Sequence, residues 1–184
     1  MTIYNEYRLS FTVFFLSLTM KRKILYIIRH GKAEEFSFGK GDFDRGLIGP
    51  GIKRAQKHAL MLKEEFAQRN DKILILSSTA VRAAQTARIF ADTLDYPAEM
   101  IQWAPSIYEA HYLQILKSIN DVSANYDYLL VFGHNPGLSD LVTYTSNQYV
   151  ELKTASIACL TIENGLDYST LSANTATLNK VISS

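Results

Sequence analysis

The chain has 184 residues, room for one domain with a short appendage. Hydrophobic residues make up 47% and charged residues 20%, which excludes wholesale disorder, and a net charge of +1 is too small for a broad nucleic-acid-binding face. The one cysteine, Cys159, excludes an intrachain disulfide and a cysteine-based zinc site; it fits a reducing compartment, so the expected location is cytoplasmic.

Residues 1–19 stand apart from 20–184. The apolar run at 9–18 has about half the ~20 residues that span a bilayer. It also lacks the basic flank and small-residue cleavage site of a signal peptide. It reads as a non-essential extension or a misplaced start, with Met20 a natural first residue; the other reading is a membrane-seeking or interaction tail. Residues 24–28 (ILYII) form a continuous β-prone run, as in a strand covered on both faces. A polar, glycine-rich loop follows over 31–49. A helix is predicted from Pro50 or Gly51 to Arg69, with Ile52, Ala55, Ala59, Leu62 and Phe66 on one face. Residues 73–76 give a second buried strand, 77–79 a turn and cap, and 80–94 a second helix. A short strand is expected at 100–103, a third helix from Glu109 or Ala110 to Ile119, a strand at 128–132 and a helix at 136–145. Residues 156–162 alternate polar and apolar, so they read as a half-exposed or edge strand. One last strand is possible in the tail.

Repeated strand–helix units imply a three-layer α/β/α sandwich with a mostly parallel central sheet. Ligands in such folds bind beyond the carboxyl ends of the strands. Arg29-His30-Gly31 follows the first strand there, Ser77-Ser78-Thr79 with Arg82 the second, and Gly133-His134-Asn135-Pro136-Gly137 a later one. Arginine offers a rigid donor fork that matches phosphate oxygens. A neutral histidine can attack phosphorus, and a protonated one can stabilise developing charge. Neighbouring guanidinium groups lower a histidine pKa and favour the nucleophilic form. No acidic cluster of the Mg²⁺-binding kind is present, so neither metal nor cofactor is expected.

The segments LYIIRHGKAE (25–34), LSSTAVRAAQTA (76–87) and VFGHNPG (131–137) resemble the histidine phosphatase, or phosphoglycerate mutase-like, superfamily. With TASIA (154–158) and the short chain, they look most like its SixA-type phosphohistidine phosphatase branch. Asp44-x-Gly46-Leu47 with Gly51 matches that branch's D-x-x-R-P-L-x-x-x-G stretch only loosely. The resemblance covers about 23–162 and implies a phosphoglycerate mutase-like fold without a helical flap insertion. It implies His30 as the nucleophile that becomes phosphorylated and Arg29 and Arg82 as phosphoryl clamps. His134 would stabilise the pentacoordinate state, with Gly133 and Asn135 beside it in substrate binding. Glu109 lies where relatives place a proton donor; it could instead orient water or simply begin the third helix.

The expected activity is metal-independent hydrolysis of phosphohistidine in a protein partner. Small-ester phosphatase or mutase chemistry with Glu109 as general acid is the alternative, and a non-catalytic phosphoprotein-binding module the third reading. His58 reads as a polar-face helix residue, His111 as a helix residue, and Cys159 as packed.

Overall fold

The computed structural model describes residues 21–66 and 72–183. The extension at 1–19 and the predicted last turn of the first helix, 67–69, lie outside the described residues. Six strands form one sheet in the order β3-β2-β4-β1-β5-β6. They are β1 (Ile24–Arg29), β2 (Ile73–Ser77), β3 (Gln102–Trp103), β4 (Tyr128–Gly133), β5 (Ile157–Ile162) and β6 (Ala176–Ile182). β1 pairs in parallel with β4, β4 with β2, and β2 with β3, whereas β5 runs antiparallel to both β1 and β6.

Helices α1 (Gly49–Phe66), α2 (Val81–Thr93), α3 (Tyr112–Asn120) and α4 (Gly137–Ser146) cover the two faces. Side chains of a strand alternate between faces, so the central strands must be apolar throughout. Leu25 and Ile27 of β1 join Ile115, Leu138 and Leu141 of α3 and α4 in one core. Tyr26 and Ile28 join Ala55, Leu62, Ala87 and Phe90 of α1 and α2 in the other. Phe90 meets Phe132 edge-on, with ring centroids 5.1 Å apart.

Three expectations are corrected. β5 is neither half-exposed nor an edge strand: it lies between β1 and β6, and only Thr161 is not fully buried. β6, read as only possible, forms that edge and shields it. The third helix begins at Tyr112, because Glu109 adopts a left-handed φ of 49° and His111 forms the N-cap. The cap of the second helix also moves: Ala80, not residues 77–79, is the N-cap of α2, with no side-chain cap bond. No helix among the described residues is long and apolar enough to cross a membrane.

Candidate active site

The carboxyl ends of β1, β2 and β4 lie side by side, because the register pairs Arg29 with Gly133 and Ser77 with Phe132. Their continuations bring Arg29, His30, Ser78, Arg82 and His134 together, as the sequence predicts. The His30 and His134 rings are 5.1 Å apart. The His30 backbone N–H donates to the Gly133 carbonyl at 3.1 Å. Its ring Nδ1 lies 2.7 Å from the Gly31 carbonyl, which can only accept, so Nδ1 carries the proton and Nε2 keeps its lone pair. Arg82 Nε donates to that Nε2 at 3.3 Å.

Electrostatics favour the same protonation state. Burial lowers the His30 pKa, the Gly31 bond opposes this, and Arg82, Arg29 and Arg45 lower it further, to about 4. Burial, His30 and Arg82 lower that of His134 to about 3. Both rings are therefore neutral at ordinary working pH.

His134 Nε2 lies 2.9 Å from the Ser78 hydroxyl, which accepts from the Ala80 N–H at 3.3 Å. Its Nδ1 is buried without a hydrogen-bond partner, as is Arg29 Nε. Burial lowers the Arg29 pKa and Arg82 lowers it further, since like charges face one another across the site. Unpaired buried donors and facing cations both call for an anion.

The rest of the second motif holds the scaffold. Thr86 Oγ1 accepts from the Gly31 N–H at 3.0 Å, and Gln85 Oε1 from the Leu47 N–H at 2.7 Å. Gly51 lets α1 press against the loop after His30; a Cβ there would come within 2.1 Å of the Lys32 carbonyl. A Cβ on Gly133 would meet Ile107 Cγ2 at 2.8 Å.

Not every candidate residue faces the ring pair. The Asn135 amide donates to the Leu152 carbonyl at 2.9 Å and accepts from Ser139 Oγ at 3.0 Å. It braces the carbonyl to which Arg29 Nη1 donates at 2.8 Å. Gly133 contributes backbone only. Glu109 is exposed at the rim, close enough to the Tyr108 phenol that burial, Asp42 and Glu109 together push that group up to about 12.

His58 is not a polar-face residue. It is 1% exposed, and its Nδ1–H donates to the Ala155 carbonyl at 2.8 Å. Ala155 N–H in turn contacts the Arg29 and His30 carbonyls at 3.1 and 3.0 Å. The spacing Ala55, His58, Ala59, Leu62 carries this signal, since it is one helical face. Cys159 is packed, as expected, at 6% exposure.

Sequence reasoning missed Asp42, Arg45 and Tyr108. The aspartate at the site is Asp42, three residues before Arg45, rather than Asp44. Asp42 Oδ2 accepts from Arg82 Nη2 at 2.8 Å and from the Tyr108 hydroxyl at 3.0 Å, while Oδ1 accepts from Arg45 Nη1 at 2.6 Å. The D-x-x-R spacing was the available signal. Among the described residues, no group of three or more His, Cys, Asp or Glu side chains could hold a metal ion.

The family model described as histidine phosphatase superfamily (branch 1) matches residues 25–127. A crystal structure assigned as the phosphohistidine phosphatase SixA of Agrobacterium tumefaciens aligns with a TM-score of 0.70 at 23% identity, over 88% of this chain and 98% of that one. A protein histidine phosphatase SixA complexed with tungstate aligns equally well, TM-score 0.70 and 23% identity, over 87% and 96%. A mycobacterial glucosyl-3-phosphoglycerate phosphatase aligns at 0.62 and 14% identity, over 86% and 97%. Among curated proteins, none matches this sequence. The mixed six-stranded sheet with its covering helices has the phosphoglycerate mutase-like fold of these neighbours.

Proposed function

The chain belongs to the histidine phosphatase superfamily, branch 1, whose members are phosphatases, and from that premise we propose that it hydrolyses protein phosphohistidine through a phospho-His30 intermediate. The observation that carries this reading is the His30 ring. Its Nδ1–H is fixed on the Gly31 carbonyl, and its Nε2 lone pair faces the guanidinium edge of Arg82.

A phosphoryl group held by Arg29 and Arg82 presents phosphorus to Nε2. The Nε2 lone pair forms the new N–P bond as the substrate's P–N bond breaks. The electron pair of the broken bond stays on the substrate imidazole, which leaves neutral once its other nitrogen has been protonated by solvent. Ser78 donating to His134 Nε2 leaves the His134 proton on the unpartnered Nδ1, as a donor to a phosphoryl oxygen. Because Nδ1 of His30 keeps its proton, the phosphorylated ring is cationic and a good leaving group. Water then forms the O–P bond, the N–P pair returns to Nε2, the water's proton passes to phosphate or solvent, and inorganic phosphate departs.

The likeness to SixA structures supports phosphohistidine in a protein partner as the substrate. The location of Glu109 at the rim beside Tyr108 favours one other reading: ester hydrolysis with Glu109 protonating the leaving oxygen. Phosphate release from a phosphohistidine protein, a sugar phosphate and an aryl phosphate, with metals chelated, decides between them. The proposal expects the phosphohistidine substrate to be preferred and unaffected by EDTA. Preferential ester hydrolysis would overturn it.

A further inference from the structure

The mechanism leaves the Asp42 carboxylate of the site without a role. In guanidinium geometry Nε and Nη2 share one edge, the pair of donors that grips two oxygens of one phosphoryl group. On Arg82 that edge faces His30 Nε2 at 3.3 Å and Asp42 Oδ2 at 2.8 Å. Arg82 Nη1 is also engaged, donating to the Asp42 carbonyl at 2.5 Å. Arg45 and the Tyr108 hydroxyl donate to the same carboxylate. Three donors that could surround a phosphoryl oxygen thus converge on a side chain of the protein itself. Burial would raise the Asp42 pKa, but the bonds from Arg45, Arg82 and Tyr108 outweigh it and hold the carboxyl well below the usual range.

We propose that Asp42 is a specificity-determining residue: its carboxylate occupies the Arg82 edge in place of a phosphoryl oxygen and competes with every phosphoryl group that enters. The inference rests on the reading of Arg82 as a phosphoryl clamp. The turn that carries Asp42, Asp42–Asp44, has no buried residue. It is fastened by contacts to the site itself, including the Phe43 ring edge-on to Tyr108 at 5.1 Å. The preceding loop exposes Phe36 and Phe38, at 66% and 105%. Displacing this turn opens no core. A bare phosphate ion must displace the carboxylate unaided, so it binds weakly and leaves readily after hydrolysis. A phosphoryl group on a protein surface brings additional contacts that offset the displacement. The apparent affinity of any anion is its intrinsic affinity reduced by the fraction of time the edge is free.

The test is calorimetric titration of the full chain with inorganic phosphate, for the wild type and Asp42→Asn. The variant is expected to bind phosphate roughly ten-fold more tightly or better, and adding Arg82→Ala to it abolishes the gain. Phe43→Ala, which loosens the turn without touching Arg82, moves affinity the same way by less and serves if the first variant does not fold by circular dichroism. Phosphate affinity that is unchanged or weaker in the folded variant overturns the inference alone, since it makes Asp42 a support for Arg82. No phosphate binding in either protein overturns it together with the phosphoryl-site reading beneath it.

Discussion

The site has a floor and a rim, and they are built differently. The floor is the strand ends: His30 and His134 are 8% and 7% exposed and are held by bonds to Gly133, Gly31 and Ser78. The rim is the loop over 34–47 with Tyr108 and Glu109. It is largely exposed and is held by pairs such as Glu34 with Lys40 and Asp42 with Arg45. The contrast teaches where chemistry and selection reside. On the proposed function, groups that meet phosphorus at fixed geometry sit at the strand ends, and groups that yield to a substrate sit on a segment with little core beneath it.

Substitutions on the floor should hurt most. His30→Ala removes the proposed nucleophile and is expected to cost roughly 10⁴-fold or more in kcat; substantial turnover in phosphohistidine hydrolysis by this variant would break the comparison at its centre. Arg82→Ala removes a charge-stabilising donor and should cost about 10²–10³-fold. Rates on a minimal phosphoramidate would check it, and a loss no larger than that of a rim variant would place Arg82 on the rim instead.

The scaffold beneath the floor gives the next effect. Gly51→Ala forces a Cβ against the Lys32 backbone, where no flexible side chain can give way. Overpacking of this kind typically costs about 1–3 kcal/mol, read as a lowered Tm with activity falling in parallel. An unchanged Tm would show that α1 shifts freely.

The two buried rings also set a pH dependence. Their folded pKa values, about 4 and about 3, lie below the 6.5 of an unfolded histidine. The unfolded chain therefore binds more protons over that interval, and stability present above pH 6.5 is lost as pH falls towards 3. Denaturant unfolding should flatten over this window in His134→Asn. An identical slope in wild type and variant would show that the ring is not buried neutral.

The smallest effect belongs to the rim. Glu109→Gln is expected to change phosphohistidine turnover by less than about ten-fold, because an imidazole needs little help in leaving. A severe loss on both phosphohistidine and an aryl ester would favour the ester reading.

The floor was legible because its residues follow, directly or within one turn of the next helix, short β-prone apolar runs bounded by turn residues. β1, β2 and β4 declared themselves this way, and Arg29, His30, Arg82 and His134 came with them. The rim was not legible in the same way. Asp42 acts chiefly through partners 40 and 66 residues away, Arg82 and Tyr108, and the one local signal is its D-x-x-R spacing to Arg45. The loop also contains several acidic residues, and Asp44 drew the reading by its proximity to Gly46. β5 was misplaced because Ser156 and Thr161 imitate alternation, while the strand that shields it lies in a Ser/Thr/Asn-rich tail. His58 reads as a polar-face residue by its polarity alone, although its helical neighbours are Ala55 and Leu62. In each case a long-range contact overrode the local pattern.

The most direct test of the account is capture of the intermediate. The full chain is mixed for milliseconds with a ³²P-labelled phosphohistidine protein, quenched in alkali, which preserves phosphohistidine, and digested for peptide mapping. The account predicts acid-labile label on the peptide containing His30, formed and discharged at rates compatible with turnover and absent from His30→Ala. Turnover without label on His30, or label residing on His134, would contradict it.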